Sequence, residues 1–169
     1  RANGETVIKA KKSRNHTELF LKYLKIPIKI RNKKSFDIIE VNKVKRIKPT
    51  NYKIPSDFSS SAFLIGLTVL SKKSCLQIKN VNINPSRISM LNILKIMGVK
   101  IFFLKKKIYK GEVIADILVK SPKKIKPIKC PTKFNSGAID EFLIIFLIAA
   151  KANGISFFKN LGELNKKES

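Results

Sequence analysis

The chain has 169 residues, 44% of them apolar, which suffices for one ordinary core or parts of two. It holds no run of about 18 consecutive apolar residues, so no membrane-spanning helix is implied. The formal charge of +25 points toward nucleic-acid phosphates, but only five of the 36 basic residues are Arg, the lysines are spread through almost every segment, and the apolar positions lean toward Ile. That pattern reads as a compositional bias toward Lys, Ile and Asn, because phosphate and base readers often lean on Arg. The charge should still steer small anions toward the molecule.

Residues 7–10 alternate as the end of a strand, and Asn15 or Thr17 can cap a helix whose apolar face is Leu19, Phe20, Tyr23 and Leu24. Pro27 stops that helix, and Ile26, Ile28 and Ile30 alternate as a strand. Residues 36–41 form a second strand after the turn at 32–34. The small polar cluster at 55–61 precedes a helix over about 60–70, with Asp57 or Ser59 as its cap. Residues 75–81 alternate as a strand. Asn84 and Pro85 predict a helix start, and Ile88, Leu91, Leu94 and Met97 share a face that Gly98 closes. Strands are expected at 99–104 and 113–119, with a turn at Lys105, Lys106 and Lys107. The Pro- and Lys-rich stretch 121–133 reads as a loop, 138–152 as a helix, 155–159 as a strand, and a new helix is expected near Lys167. This order is a repeating βαβαββ rhythm, with helices on one face of a mixed sheet and a domain crossing near 52–57.

Several positions suit chemistry. Ser13-Arg14-Asn15-His16 lies between a strand and a helix, where backbone N–H groups and the Arg14 fork suit an anion; the plainer reading of the residues is a capping turn with a surface Arg. Asp140 and Glu141 open a very apolar helix, where carboxylates offset the dipole, or where Asp140 can act as a base or hydroxyl acceptor. Lys167-Glu168 alone is an ordinary solvated pair. His16 is the only histidine and cannot form a metal cluster by itself, so it reads as structural; no metal site is expected. Cys75 and Cys130 fit no zinc or redox spacing and read as reduced thiols. Arg1 stands where a start Met would, and the polar run at 166–169 looks like an opening helix, so both ends read as cuts.

Taken in order, Ser13-Arg14-Asn15-His16-Thr17-Glu18, Asp57-Phe58-Ser59-Ser60-Ser61-Ala62-Phe63, Asn84-Pro85-Ser86-Arg87, Met97-Gly98-Val99, Asp140-Glu141 and Gly162-Glu163-Leu164-Asn165-Lys166-Lys167-Glu168-Ser169 resemble successive motifs of the enolpyruvylshikimate phosphate synthases. The first and last forms are similar to the glyphosate-tolerant bacterial class. The resemblance implies a truncated α/β, two-lobed enolpyruvyl transferase fold of βαβαββ repeats. Residues 1–55 would be the tail of the N-terminal-type lobe, and 56–169 the first part of the C-terminal-type lobe. It implies a cytoplasmic, monomeric shikimate-pathway parent that moves the enolpyruvyl group of phosphoenolpyruvate to shikimate 3-phosphate in a cleft between the lobes. The resemblance implies no cofactor, no nucleic acid and no membrane. By the same resemblance Ser13, Arg14, Asp140 and Lys167 bind shikimate 3-phosphate, while Asp140 and Glu168 are catalytic. Other contacts of the family have no counterpart in the chain, so it should be inactive alone. The competing readings are a UDP-N-acetylglucosamine enolpyruvyl transferase and a basic nucleic-acid-binding module.

Overall fold

The computed structural model describes residues 3–166, which divide into two compact units. The first holds the described residues up to Ile54 together with Ile108–Glu112; the second holds Pro55–Lys107 and the described residues from Val113 on.

The first unit runs β1 (Glu5–Lys11), α1 (His16–Tyr23), β2 (Ile28–Asn32) and β3 (Phe36–Asn42). Its sheet has the order β1-β3-β2, with both outer strands antiparallel to β3. Ile39 of β3 faces Ile8 on one side and Ile30 on the other. Its apolar core is thin: Ile26 and Ile39 are the buried hydrophobics among the described residues, and α1 buries none. Aromatic contacts supplement it. Phe20 packs against Tyr23 and Tyr52, Tyr52 against Tyr109, and the Lys110 ammonium lies 5.5–5.8 Å from the ring centres of Tyr109, Tyr52 and Tyr23. Cation–π attraction accounts for that lysine's placement. His16 Nδ1 meets Glu112 Oε1 at 2.5 Å, which assigns the single histidine a structural contact.

The second unit contains α2 (Phe58–Leu70), β4 (Cys75–Asn82), α3 (Ser89–Ile96), β5 (Lys100–Tyr109), β6 (Glu112–Lys120) and α4 (Phe142–Ala149); the turn of its β5–β6 hairpin is the 108–112 segment counted with the first unit. Its sheet order is β4-β6-β5. Strand, helix, strand, strand, with the last strand seated in the middle, therefore occurs twice: β1-α1-β2-β3 and β4-α3-β5-β6. The core of this unit is made by Phe58, Ala62, Ile65 and Val69 of α2, by Met90, Leu91, Ile93 and Leu94 of α3, and by Phe142, Ile145 and Ile148 of α4, set against Val81, Ile117 and Val119 of the sheet. Gly66 lets α2 and α4 approach, because a Cβ there would stand 2.7 Å from Ile144 Cγ2. The outward faces of these two helices are apolar as well: Phe63, Leu67, Leu143 and Leu147 are exposed. No helix among the described residues is long and apolar enough to cross a membrane.

Five expectations need correction. The lysines at 105–107 do not turn; β5 continues to Tyr109, and the turn is at Lys110 and Gly111, both with positive φ (50° and 90°) as a two-residue hairpin requires. β5 is an edge strand, and edge strands are commonly protected by lysines, so the same residues serve a different purpose. α3 starts at Ser89 and not at Pro85, because the Asn84 side chain accepts from the N–H and the hydroxyl of Ser86 and closes a turn first. The last helix is shorter than 138–152: a 3-10 turn covers Ser136–Ala138 and α4 begins at Phe142. Residues 155–159 form no strand, only one parallel bridge from Phe157 to Lys129. The ladders described within the two sheets are antiparallel, and parallel pairing occurs as isolated bridges, Ser56 to Val81 being the other. The helix expected near Lys167 lies outside the described residues.

Gly111 is the most exacting turn position. Its φ is +90°, and a Cβ would lie 2.8 Å from the carbonyl oxygen of Leu19, a backbone atom that cannot swing away. Gly111→Ala should destabilise the first unit by about 1–3 kcal/mol. All three tyrosines lie in this unit and there is no Trp, so tyrosine fluorescence during urea unfolding reports it selectively. The tyrosine midpoint should fall; an unchanged midpoint would show that the turn tolerates a side chain.

Candidate functional site

The chemistry-bearing residues of the second unit come from three short segments. At the start of α2, Asp57 is in extended conformation and caps the helix, its carboxylate accepting from the Ser60 N–H at 2.6 Å. The next serines are short enough to reach neighbouring groups: Ser61 donates to the Asp57 carbonyl at 2.7 Å, and Ser59 donates to Glu141 Oε1 at 2.7 Å. The second segment is the turn at 84–87, closed by the Arg87 N–H on the Asn84 carbonyl. It delivers the Arg87 side chain to the interior, where the residue is 8% exposed. The third is the stretch between the 3-10 turn Ser136–Ala138 and α4, which carries Asp140 and Glu141. Gly137 lets that stretch lie against the second segment: a Cβ there would collide with Ser89 Oγ and stand 3.1 Å from the Ser86 carbonyl oxygen.

Arg87 joins all three segments. One guanidinium nitrogen, Nη1, donates to Asp140 Oδ2 at 2.5 Å. The other, Nη2, donates to Ser59 Oγ and lies 3.8 Å from Glu141 Oε1. Ser59 Oγ thus accepts from Arg87 and donates to Glu141. The arrangement separates the two carboxylates. Glu141 is 1% exposed and completes the interior network, whereas the Asp140 side chain is 23% exposed. Neither opens the helix as expected: both precede it, and Glu141 stands at the N-cap position without making a side-chain capping bond. Burial by itself would raise the Asp57 carboxyl, but hydrogen bonds from Ser60 and Ser59, together with the Arg87 charge, hold it below its ordinary value. Asp116 is buried and accepts from the Asn80 N–H and from Gln77 at the bulge in β4.

The remaining sequence candidates lie elsewhere. Ser13 and Arg14 are exposed, in the connection from β1 to α1, and belong to the first unit. α1 follows with Asn15 at its N-cap, which makes no side-chain capping bond. Lys167 and Glu168 lie outside the described residues. Cys75 is exposed, and burial pushes the Cys130 thiol up, opposite to what a reactive thiolate needs. Sequence reasoning missed Arg87, Ser59 and Glu141 as a connected set. Each stands in one of the motifs above, but an Arg 28 positions from Ser59 and 53 from Asp140 is linked to them only through the fold.

Two antiparallel sheets built on the same strand-helix-strand-strand order, with a buried Arg–carboxylate–serine network in the second unit, make this an α/β protein. The sequence profile of EPSP synthase (3-phosphoshikimate 1-carboxyvinyltransferase) matches residues 1–169, and the chain belongs to that family. The 3-phosphoshikimate 1-carboxyvinyltransferase of Petrotoga mobilis is 36% identical over 169 residues, covering 99% of this chain and 38% of its own length. That of Clostridium tetani is 38% identical over 157 residues, 93% of this chain and 34% of its own. The solved EPSP synthase of Acinetobacter baumannii superimposes with a TM-score of 0.87 at 32% identity, over 99% of this chain and 37% of that one. The chain thus has the fold of the matched part of EPSP synthase and spans somewhat over a third of the length of these relatives.

The Asp57 cap gives a test with a defined pH sense. Its folded-state pKa is below the ordinary 3.8, so its contribution to stability is present above about pH 4 and is lost as pH falls through the lower, folded-state value. Asp57→Ala should destabilise the chain by about 1 kcal/mol at pH 7, and the gap between variant and native chain should narrow below about pH 4. A gap independent of pH would mean that the carboxylate charge has no part in the cap.

Proposed function

We propose that the chain is part of a 3-phosphoshikimate carboxyvinyltransferase, the shikimate-pathway enzyme that joins shikimate 3-phosphate to the enolpyruvyl group of phosphoenolpyruvate and releases phosphate. The observation that carries this is the family match over residues 1–169. We infer from the same resemblance a cytoplasmic, monomeric parent. Residues 1–55 are assigned to the end of its N-terminal-type lobe and 56–169 to the start of its C-terminal-type lobe.

In this reading Asp140 takes the proton of the attacking substrate hydroxyl as its oxygen bonds to the substituted carbon of phosphoenolpyruvate. Glu168 delivers a proton to the methylene carbon, which becomes a methyl group. Phosphate then leaves the substituted carbon, the Glu168 carboxylate takes a proton back from the methyl group, and the carbon–carbon double bond re-forms on the transferred group. Such a sequence needs a base for the hydroxyl, an acid for the carbon, and cations to hold two anionic reactants. Ser13, Arg14 and Lys167 are assigned to the phosphorylated sugar-like substrate. The partial exposure of the Asp140 side chain, against the full burial of Glu141, supports choosing Asp140 as the group that meets a ligand.

The chain spans 38% of the Petrotoga relative, so it should supply only part of the ligand set. In orienting reactants, a misplacement of about 1 Å can lose roughly a hundredfold in rate. The purified chain should therefore show no substrate-dependent phosphate release; release abolished by Asp140→Ala would show that it is sufficient by itself. Shikimate 3-phosphate should nevertheless bind weakly. Arg14→Ala should weaken binding roughly tenfold, the equivalent of about 1.4 kcal/mol. A chain that ignores shikimate 3-phosphate but binds RNA with a steep salt dependence would favour the basic nucleic-acid-binding reading instead.

A further inference from the structure

We propose that Arg87 is a positioning residue for Asp140, acting through the divergence of its two guanidinium nitrogens and not through its charge alone. The inference rests on the reading of Asp140 as the hydroxyl acceptor.

The geometry distinguishes this from a simple buried ion pair. An Arg that merely neutralised Asp140 would present both nitrogens of its fork to one carboxylate. Here Nη1 serves Asp140 and Nη2 serves Ser59. Ser59 is fixed in turn by its bond to Glu141, and its backbone stands in the first turn of α2. The guanidinium plane is thereby set at one edge by a buried carboxylate and a helix, and its other edge dictates where Asp140 Oδ2 must be. The Arg87 backbone is held as well, by the turn that the Asn84 carbonyl closes. Asp140 and Ser59 are the partly exposed members of the set, and since Ser59 is tied to Glu141 and to the backbone of α2, loss of the guanidinium should loosen Asp140 first.

The consequence for binding can be sized. A side chain unconstrained at χ1 has three staggered wells. If the competent well holds about a third of the population, apparent affinity falls roughly threefold. Lysine retains the positive charge but is a single rotatable point charge that cannot hold two divergent partners in a fixed plane. Arg87→Lys therefore separates position from charge.

The test uses the isotopically labelled 169-residue chain, with three-bond couplings to the Asp140 carboxyl carbon as the measure of its χ1 and shikimate 3-phosphate as the ligand. The native chain should show a single Asp140 rotamer. Arg87→Lys should average it while leaving the amide resonances of β4 and β6 in place, and should weaken shikimate 3-phosphate binding about threefold. Asp140→Asn should weaken binding further, and adding Arg87→Lys to Asp140→Asn should change nothing more. If Arg87→Lys fails to fold, Ser59→Ala takes its place, since it removes the hydroxyl that anchors Nη2 and should also average the rotamer. A single Asp140 rotamer persisting in whichever variant folds would overturn the proposal. Averaging of the rotamer with no effect of Asp140→Asn on binding, or with no binding by the native chain, would leave Arg87 as a positioning residue and overturn instead the assignment of Asp140 to the substrate.

Discussion

A guanidinium taken out of water loses several kcal/mol of hydration, and only well-placed acceptors return it. Arg87 is almost wholly buried, and its partners come from segments far apart in sequence: the acceptors Ser59 at the start of α2 and Asp140 before α4, and the Glu141 carboxylate 3.8 Å away. The two deeply buried charged groups, Arg87 and Glu141, share the Ser59 hydroxyl, which accepts from one and donates to the other. Glu141 is more deeply buried than Arg87 and would lose the guanidinium 3.8 Å away if the turn at 84–87 moved off. The network therefore fixes the beginnings of two helices and the turn before a third. Those are the segments in which the second unit keeps its carboxylates and hydroxyls together.

The surrounding fold makes that meeting possible by small adjustments. Gly137 permits close approach of the 3-10 turn to Ser86 and Ser89, and Gly66 permits close approach of α4 to α2. Both lie against the apolar core formed by α2, α3 and α4 on the β4-β6-β5 sheet. The core is rich in side chains that pack without polar requirements, so the polar network has one rigid wall and one open side. Asp140 is on the open side and Glu141 on the closed side. Two adjacent acidic residues thus acquire different physical roles from a difference in burial alone.

Much of this is legible in the residues. Asp57 has the short carboxylate and the position of a helix cap, and it is one. The alternation at β3 and β4 and the apolar spacing in α3 lead to the observed elements. The repeated strand and helix order is visible too, although the antiparallel interleaving that places β3 and β6 in the middle is not, since local patterning carries no information on strand neighbours. The departures share a cause, because polarity or a breaker suggests a local geometry that tertiary context then overrides. Three consecutive lysines suggest a turn but protect an edge; Asn84-Pro85 suggests a helix start but makes a turn before one; an apolar run at 155–159 suggests a strand but supplies a bridge. For the candidate site, Asp140 is identifiable through its motif, while Arg87 has no evident role in the sequence because nothing near it along the chain names its partners. Ser13 and Arg14 stand in a strand-to-helix connection that suits an anion, but their assignment to a substrate, like that of Lys167 and Glu168, rests on resemblance.

The claim on which all of this depends is that Arg87 and Asp140 are energetically one unit. A double-mutant cycle in urea unfolding, comparing Arg87→Met, Asp140→Asn and the pair, measures this directly. The two changes should be strongly non-additive, with a coupling of about 1–3 kcal/mol. Additivity within about 0.5 kcal/mol would contradict it, because the two side chains would then contribute independently and no buried bridge would join the segments.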